Sequence, residues 1–250
     1  MYLAYKGTHY CGWQNQPNGV SIQYLIEVVL TKVLRQPIAV TGAGRTDAGV
    51  HARRMVVHFD VSPDRIQTAS DCQMLVGKLN NMLPKDIAIH RIVPVNNHAH
   101  ARFDALSRTY IYLITDKKNP FHHEYVYRMS LQSISFEQMN KACAVLYEYT
   151  DFTSFSKVHT DVKTNNCRIF EAEWTKSNDV WTFTIKADRF LRNMVRAIVG
   201  TLLDVGRGKL TINDFRTIIE AKNRCSAGMS IAPEGLALAD IAYPETVFFV

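Results

Sequence analysis

The chain has 250 residues, 47% of them hydrophobic and 21% charged, which is enough to bury a sizeable core in one large domain or two smaller ones and argues against disorder. Lys and Arg outnumber Asp and Glu by 29 to 23, a net charge of +6 that favours a polyanionic partner such as nucleic acid. The five cysteines (Cys11, Cys72, Cys143, Cys167 and Cys225) are odd in number, widely spaced and without a Cys-x-x-Cys pair, and no apolar run nears the roughly 20 residues that span a bilayer, so a disulfide scaffold, a structural zinc site and a membrane span are all disfavoured.

The opening residues, Met1 to Gly7, lack the basic-then-apolar shape of a signal peptide, and a soluble cytoplasmic protein is expected. Tyr2–Tyr5 reads as a short strand running into a Gly-containing loop. Val20–Arg35 reads as a helix, because Ile22, Leu25, Ile26, Val29, Leu30, Val33 and Leu34 recur at helical spacing; Ser21 is its expected N-cap and Pro37 its stop. Ile38–Thr41 and Met55–Phe59 read as short strands that bracket a polar loop. Cys72–Leu83 reads as a second helix capped by Ser70 or Asp71, and Ile87–Val95 and Leu106–Ile114 as strands. Within the last of these, Tyr110 and Tyr112 fall on one face because strand side chains alternate.

Ser135–Tyr147 reads as a third helix, with Ser135 and Gln138 at capping-box spacing. Arg168–Lys176 and Val180–Ala187 form an expected hairpin around Ser177-Asn178-Asp179. Phe190–Val205 reads as a helix ended by Gly206 and Gly208, Thr211–Ala221 as another with Thr211 and Asp214 as its capping box, and Leu236–Tyr243 as the closing strand. Strands and helices mix without the strict alternation of a doubly wound sheet. The expected class is therefore α+β with a largely antiparallel sheet, and two similar halves of β-α-β-β type fit this order. The weakest boundary in composition lies near Ala101–Ser107.

The bracketed loop is the chemically dense part of the chain. Gly44-Arg45-Thr46-Asp47-Ala48-Gly49-Val50-His51 supplies two glycines, a cation, a hydroxyl, a carboxylate and an imidazole within eight residues. The glycines permit backbone conformations closed to other residues and let another molecule approach the main chain. Arg45 stands two positions before Asp47, so in an extended stretch both project to one side, where the guanidinium favours the ionised carboxylate. Such a carboxylate can serve as nucleophile or general base. The same residues also fit a polar turn in which Asp47 caps backbone amides, or half of a metal site shared by Asp47 and His51.

The whole segment resembles the catalytic motif of the tRNA pseudouridine synthase A family. Further stretches resemble that family in order: Tyr5-Lys6-Gly7-Thr8-His9-Tyr10-Cys11-Gly12-Trp13-Gln14, Val20-Ser21-Ile22-Gln23, His100-Ala101-Arg102-Phe103, Arg108-Thr109-Tyr110 and Asp151-Phe152-Thr153-Ser154-Phe155. Phe190-Leu191-Arg192-Asn193-Met194-Val195-Arg196, Ile198-Val199-Gly200 and Glu234-Gly235-Leu236 complete the series. The departures are Lys6, where the family often has Asp, and Met1, which begins almost inside the first strand.

The resemblance implies the pseudouridine-synthase fold, with two similar halves around an RNA-binding cleft: residues 1–105 carry the catalytic Asp loop and 106–250 complete the cleft. It implies isomerisation of uridine to pseudouridine at positions 38, 39 and 40 in the anticodon stem and loop of tRNA, by a homodimer that needs no cofactor or metal. Asp47 is then the essential carboxylate. Tyr110 stacks on the flipped uracil, although a strand tyrosine also fits a core pair with Tyr112. Arg196 pairs with Asp47; it lies four residues after Arg192, on one face of the expected helix. Arg45, Arg53, Arg54, Arg102, Arg108 and Arg192 are candidates for phosphate contact, which positions RNA without reading its sequence. His51, His100, His122 and His123 are expected to be structural or surface residues. A catalytically inactive RNA-binding module of the same fold explains the charge and aromatics equally, but leaves Asp47, Tyr110 and Arg196 together without a purpose.

Overall fold

The computed structural model describes residues 1–157 and 164–248. It divides into two compact units, Met1–Leu106 with Leu238–Val250, and Ser107–Ala237.

In the first unit, β1 (Tyr2–Tyr5) pairs antiparallel with β3 (His51–His58) and with β4 (Ile87–Arg91), and the two-residue β2 (Thr41–Gly42) pairs with the far end of β3. Helix α1 (Ile22–Leu34) forms where expected: Ile22, Ile26, Val29, Leu30 and Leu34 are buried, and the Ser21 hydroxyl accepts from the Tyr24 N–H. Helix α2 (Ala69–Met82) starts earlier than its apolar pattern suggests. Its cap is Thr68, not Ser70 or Asp71: the Thr68 hydroxyl accepts from Asp71 N, and the Asp71 carboxylate accepts from Thr68 N in return. Asn80 on α2 clips the edge strand β4, donating to Ile89 O at 2.8 Å and accepting from Ile89 N at 2.7 Å. That occupies backbone groups which an open sheet edge would leave unpaired.

Of the expected strand Ile38–Thr41 only Thr41 joins a strand, as the first residue of β2; Ile38–Val40 does not. The Thr31 hydroxyl accepts from Ile38 N and the Glu27 carboxylate from Val40 N, both at 3.0 Å, so α1 takes the donors that a strand ladder would use. Conversely, β3 begins at His51 rather than Met55, which places Arg53 and Arg54 on a strand as adjacent exposed residues; the register between β1 and β3 shifts beside them. β4 ends at Arg91, short of Val95, with Pro94 lacking the donor needed to continue it.

In the second unit, β5 (Ser107–Thr115) pairs antiparallel with β8 (Val180–Ala187), and β8 with β7 (Ile169–Ser177). The β7–β8 connection turns through Asn178 at φ 51°, a left-handed position that asparagine tolerates. The short β6 (Tyr127–Arg128) adds parallel to the end of β5. Helices α3 (Phe136–Val145), α4 (Met194–Gly206) and α5 (Ile212–Glu220) supply the rest, and Thr211 with Asp214 forms the expected capping box on α5. On α3 the Ser135 hydroxyl accepts from Gln138 N.

Helix α4 is buried along most of its length. It starts four residues later than the hydrophobic pattern suggests, because Asn193 takes φ 67° and Leu191–Met194 closes a turn instead, with Met194 N donating to Leu191 O at 3.1 Å. Arg192 is therefore outside the helix and does not share a helical face with Arg196. The final strand β9 (Leu236–Ala242) returns to the first unit beside β3. The class is α+β with mostly antiparallel strands. Among the described residues, no helix is long and apolar enough to cross a membrane.

Candidate active site

The Asp47 loop, residues 43–50, links β2 to β3. Ala43, Thr46 and Val50 turn inward and are buried, Arg45 is exposed, and Asp47 is half-buried. At the near end Ala43 N donates to Val56 O at 2.8 Å; at the far end Val50 N donates to Asp47 O at 3.1 Å, closing a turn through Gly49 at φ 79°. Gly44, in contrast, has open space where a Cβ would stand.

What holds the loop is the opening segment of the chain. Trp13 N donates to Thr46 O at 3.1 Å, and the Tyr5 hydroxyl shares a buried 2.8 Å hydrogen bond with the Thr46 hydroxyl. Thr46 is thus gripped through main chain and side chain, immediately before Asp47. Trp13 is itself 3% exposed and stacks on Tyr5 at 6.1 Å between ring centroids. Gly12 lies so close that a Cβ there would stand 2.6 Å from Thr46 O and 3.0 Å from the Asp47 carbonyl carbon, and its φ of 92° is one that L side chains rarely adopt. The motif Tyr5 to Gln14 reads in the sequence only as a family signature. Its mechanical role in bracing Thr46 was missed, and the signal for it is the interleaving of Gly7 and Gly12 with two large aromatics.

His51 is a structural residue. It is 5% exposed, and its Nδ1 accepts a buried hydrogen bond from Gly7 N at 3.0 Å, so that nitrogen carries no proton. The bond ties the start of β3 to the opening segment. His51→Leu keeps the volume but strands the Gly7 donor, and is expected to lower stability by about 1–3 kcal/mol. Chemical denaturation reads this as a lower midpoint, and an unchanged midpoint would remove the bond from the account.

The candidate phosphate contacts in this unit, Arg45, Arg53, Arg54 and Arg102, are all exposed. Arg54 bonds the Asp240 carboxylate at 2.7 Å, with both side chains about half exposed at 54% and 48%. A surface pair of this kind adds little stability and leaves the cation able to exchange partners. Among the described residues, no group of three or more His, Cys, Asp or Glu side chains is placed to hold a metal ion.

The remaining candidate residues belong to the second unit. Tyr110 stands on β5 opposite Ile185, is 9% exposed, and meets Phe190 edge-on at 5.1 Å. Tyr112, two residues on, is fully buried and donates its hydroxyl proton to Ala232 O at 2.8 Å. Burial, and after it the nearby Glu234 charge, push the Tyr112 phenol well above its ordinary range, so it is a fixed donor in the core. The shared strand face thus holds two differently placed tyrosines: the neighbouring ring of Tyr112 is Tyr127, that of Tyr110 is Phe190. Arg108 is half-buried and donates to Asp188 O at 2.7 Å, which clamps the β5–β8 end; the sequence offered no sign of this bond. Arg196 is half-buried on α4. Its Nε donates to Ile231 O at 2.7 Å while Ile231 N donates to Arg196 O at 3.2 Å, so the 228–231 segment fixes the guanidinium on the helix surface.

A family model described as tRNA pseudouridine synthase matches residues 1–104 and 144–244. The chain belongs to the tRNA pseudouridine synthase family. It is 58% identical to the tRNA pseudouridine synthase A of Parabacteroides distasonis over 99% of this chain and 96% of that one. It is likewise 55% identical to its counterpart in Bacteroides fragilis, over 99% and 97%, and 54% to that in Porphyromonas gingivalis, over 99% and 98%. Membership of the tRNA pseudouridine synthase family makes the chain an isomerase. The stretches matched by the tRNA pseudouridine synthase model contain Arg45, Asp47, Arg192 and Arg196; Arg108 and Tyr110 lie in 105–143, between them.

Proposed function

We propose that this chain converts uridine to pseudouridine at positions 38, 39 and 40 in the anticodon stem and loop of tRNA, with Asp47 as the essential carboxylate. The supporting comparison is membership of the tRNA pseudouridine synthase family and 54–58% identity to relatives named tRNA pseudouridine synthase A. The observation that carries the assignment to Asp47 is the clamp on Thr46. It restrains the backbone next to a half-buried carboxylate, as a group that must meet one atom of a substrate requires.

The reaction breaks the N1–C1′ bond, turns the uracil, and joins C5 to C1′. The C5 proton is lost and N1 gains one, so the formula is unchanged and neither redox nor phosphate chemistry enters. Asp47 either attacks C1′ or removes the C2′ proton to give a glycal; both routes require it ionised. A base in a stacked stem must first be flipped out, at a cost of a few kcal/mol. Tyr110 supplies an aromatic face to the uracil, worth about 1–3 kcal/mol. Arg196 is the second catalytic residue of this reading, and Arg45 and Arg108 contact the substrate backbone. The +6 charge suits the polyanionic substrate. The working unit is a cytoplasmic homodimer without cofactor or metal.

The test uses tRNA transcribed with uridine tritiated at C5. Because C5 becomes the glycosidic carbon, each turnover releases one tritium to water. The purified chain is expected to release it with a chelator present, and Asp47→Asn is not. Tight tRNA binding without release by the unaltered chain would convert the reading to an inactive RNA-binding module.

A further inference from the structure

The turn before β5 presents a large apolar ring to solvent. Phe103 is 74% exposed, yet it is not loose: it stacks on His100 at 4.2 Å and 28°, and His100 in turn lies 4.8 Å from His58 at the end of β3. The guanidinium of the exposed Arg102 sits 5.9 Å from the Phe103 ring.

The backbone beneath is bonded at nearly every residue. His100 N donates to the Asp104 carboxylate at 2.7 Å, and Arg102 N and Phe103 N both donate to His100 Nδ1, at 3.1 and 3.2 Å. Ala101 N donates to His58 Nδ1 at 3.1 Å, and the Tyr243 hydroxyl donates to Ala101 O at 2.5 Å. Leu106 N donates to Ala242 O at 2.8 Å. Burial, and next the neighbouring His100, lower the His58 pKa against the opposing Asp60 and Asp104 charges, which keeps its Nδ1 free to accept. Both imidazoles are therefore held as acceptors on the backbone of the turn, and their rings form a rigid column with Phe103 at its open end.

An exposed ring held in one orientation has already lost the freedom that binding would otherwise cost. Its open face is flat and apolar and stands next to a cation. A nucleobase matches that combination: a π-face for the ring, and a phosphate for the arginine.

We propose that Phe103 is a stacking platform for a nucleobase of the tRNA other than the uridine being converted, with Arg102 on an adjacent phosphate. This rests on tRNA being the substrate and adds a second anchoring point to it. Stacking is indifferent to base identity, so the platform suits an enzyme that meets many tRNA sequences. It orients the RNA while Asp47 does the chemistry.

The experiment measures binding of transcribed tRNA to the full chain in an Asp47→Asn background, so that no turnover intervenes. Phe103→Ala is expected to weaken binding about tenfold or more, with an unchanged salt slope because no charge is lost. Arg102→Ala is expected to reduce the slope of log Kd against log salt by about 1. Phe103→Trp is expected to bind within about twofold of the parent, and its added indole fluorescence should fall when tRNA is bound. Since Phe103 is mostly in water, neither Phe103 variant should alter thermal stability.

Binding by Phe103→Ala equal to that of the parent, or indole emission blind to tRNA, overturns the platform. So does a change of oligomeric state with RNA affinity intact, which would make Phe103 a contact between copies of the chain. If the unaltered chain converts tRNA, the Asp47→Asn parent binds it and Phe103→Ala binds as the parent does, only the platform fails. If neither binds tRNA, the functional reading fails and takes the platform with it.

Discussion

Asp47→Asn is expected to lower single-turnover conversion of tRNA by at least about 10⁴-fold, the upper range for losing a group that attacks or moves a proton at the reacting centre. Asparagine has nearly the shape of aspartate and keeps a carbonyl acceptor, so the loop, clamped through Thr46 and closed by the Val50 N to Asp47 O bond, has no reason to move. What it lacks is the negative charge. Both chemical routes need that charge, whether to bond C1′ or to take the C2′ proton. The proposed phosphate and stacking contacts lie elsewhere on the chain, and tRNA affinity should stay within a few-fold of the parent. A variant that binds and does not turn over marks an interaction used in the transition state alone. Turnover within tenfold of the parent would remove Asp47 from the chemistry.

Gly12→Ala is the second large effect, and it acts without touching substrate. The added Cβ would lie 2.6 Å from Thr46 O and 3.0 Å from the Asp47 carbonyl carbon, and both of these atoms are backbone. A flexible side chain cannot swing aside to relieve the clash, so the loop itself must shift. The φ of 92° adds conformational strain of about 1–3 kcal/mol. A displacement near 1 Å at a reacting group can cost about 100-fold in rate. The expected outcome is a comparable fall in kcat, a lower unfolding midpoint and a nearly unchanged KM for tRNA. Gly44→Ala is the control. It lies in the same loop, but open space surrounds the position, and both kcat and stability should stay close to the parent. Equal effects from the two substitutions would contradict the bracing role of the opening segment.

These two positions show what the sequence discloses about the site. Asp47 stands out because its neighbours form an unusual cluster of functional groups. Gly12 does not, since a glycine needed for close packing looks like any loop glycine until its neighbour in space is known. The same divide runs through the fold. Helix α1, the β7–β8 hairpin and the capping box on α5 follow from local patterns, and they stand where the patterns place them. The misses have non-local causes. Ile38–Val40 has strand-like residues, but Thr31 and Glu27 of α1 capture the Ile38 and Val40 donors. The apolar pattern of α4 runs back to Phe190, but Asn193 turns left-handed and ends the helix there, which separates Arg192 from Arg196. The roles of Tyr110 and Arg196 came from family motifs; their packing against Phe190 and Ile231 was not readable from composition or spacing.

Mapping pseudouridine at single-nucleotide resolution tests the central claim most directly. An unmodified tRNA transcript bearing uridines at positions 38, 39 and 40 is incubated with the purified chain and, in parallel, with Asp47→Asn. The expected result is pseudouridine confined to those positions with the parent and absent with the variant. Pseudouridine elsewhere, or equal signals from both proteins, would contradict the account.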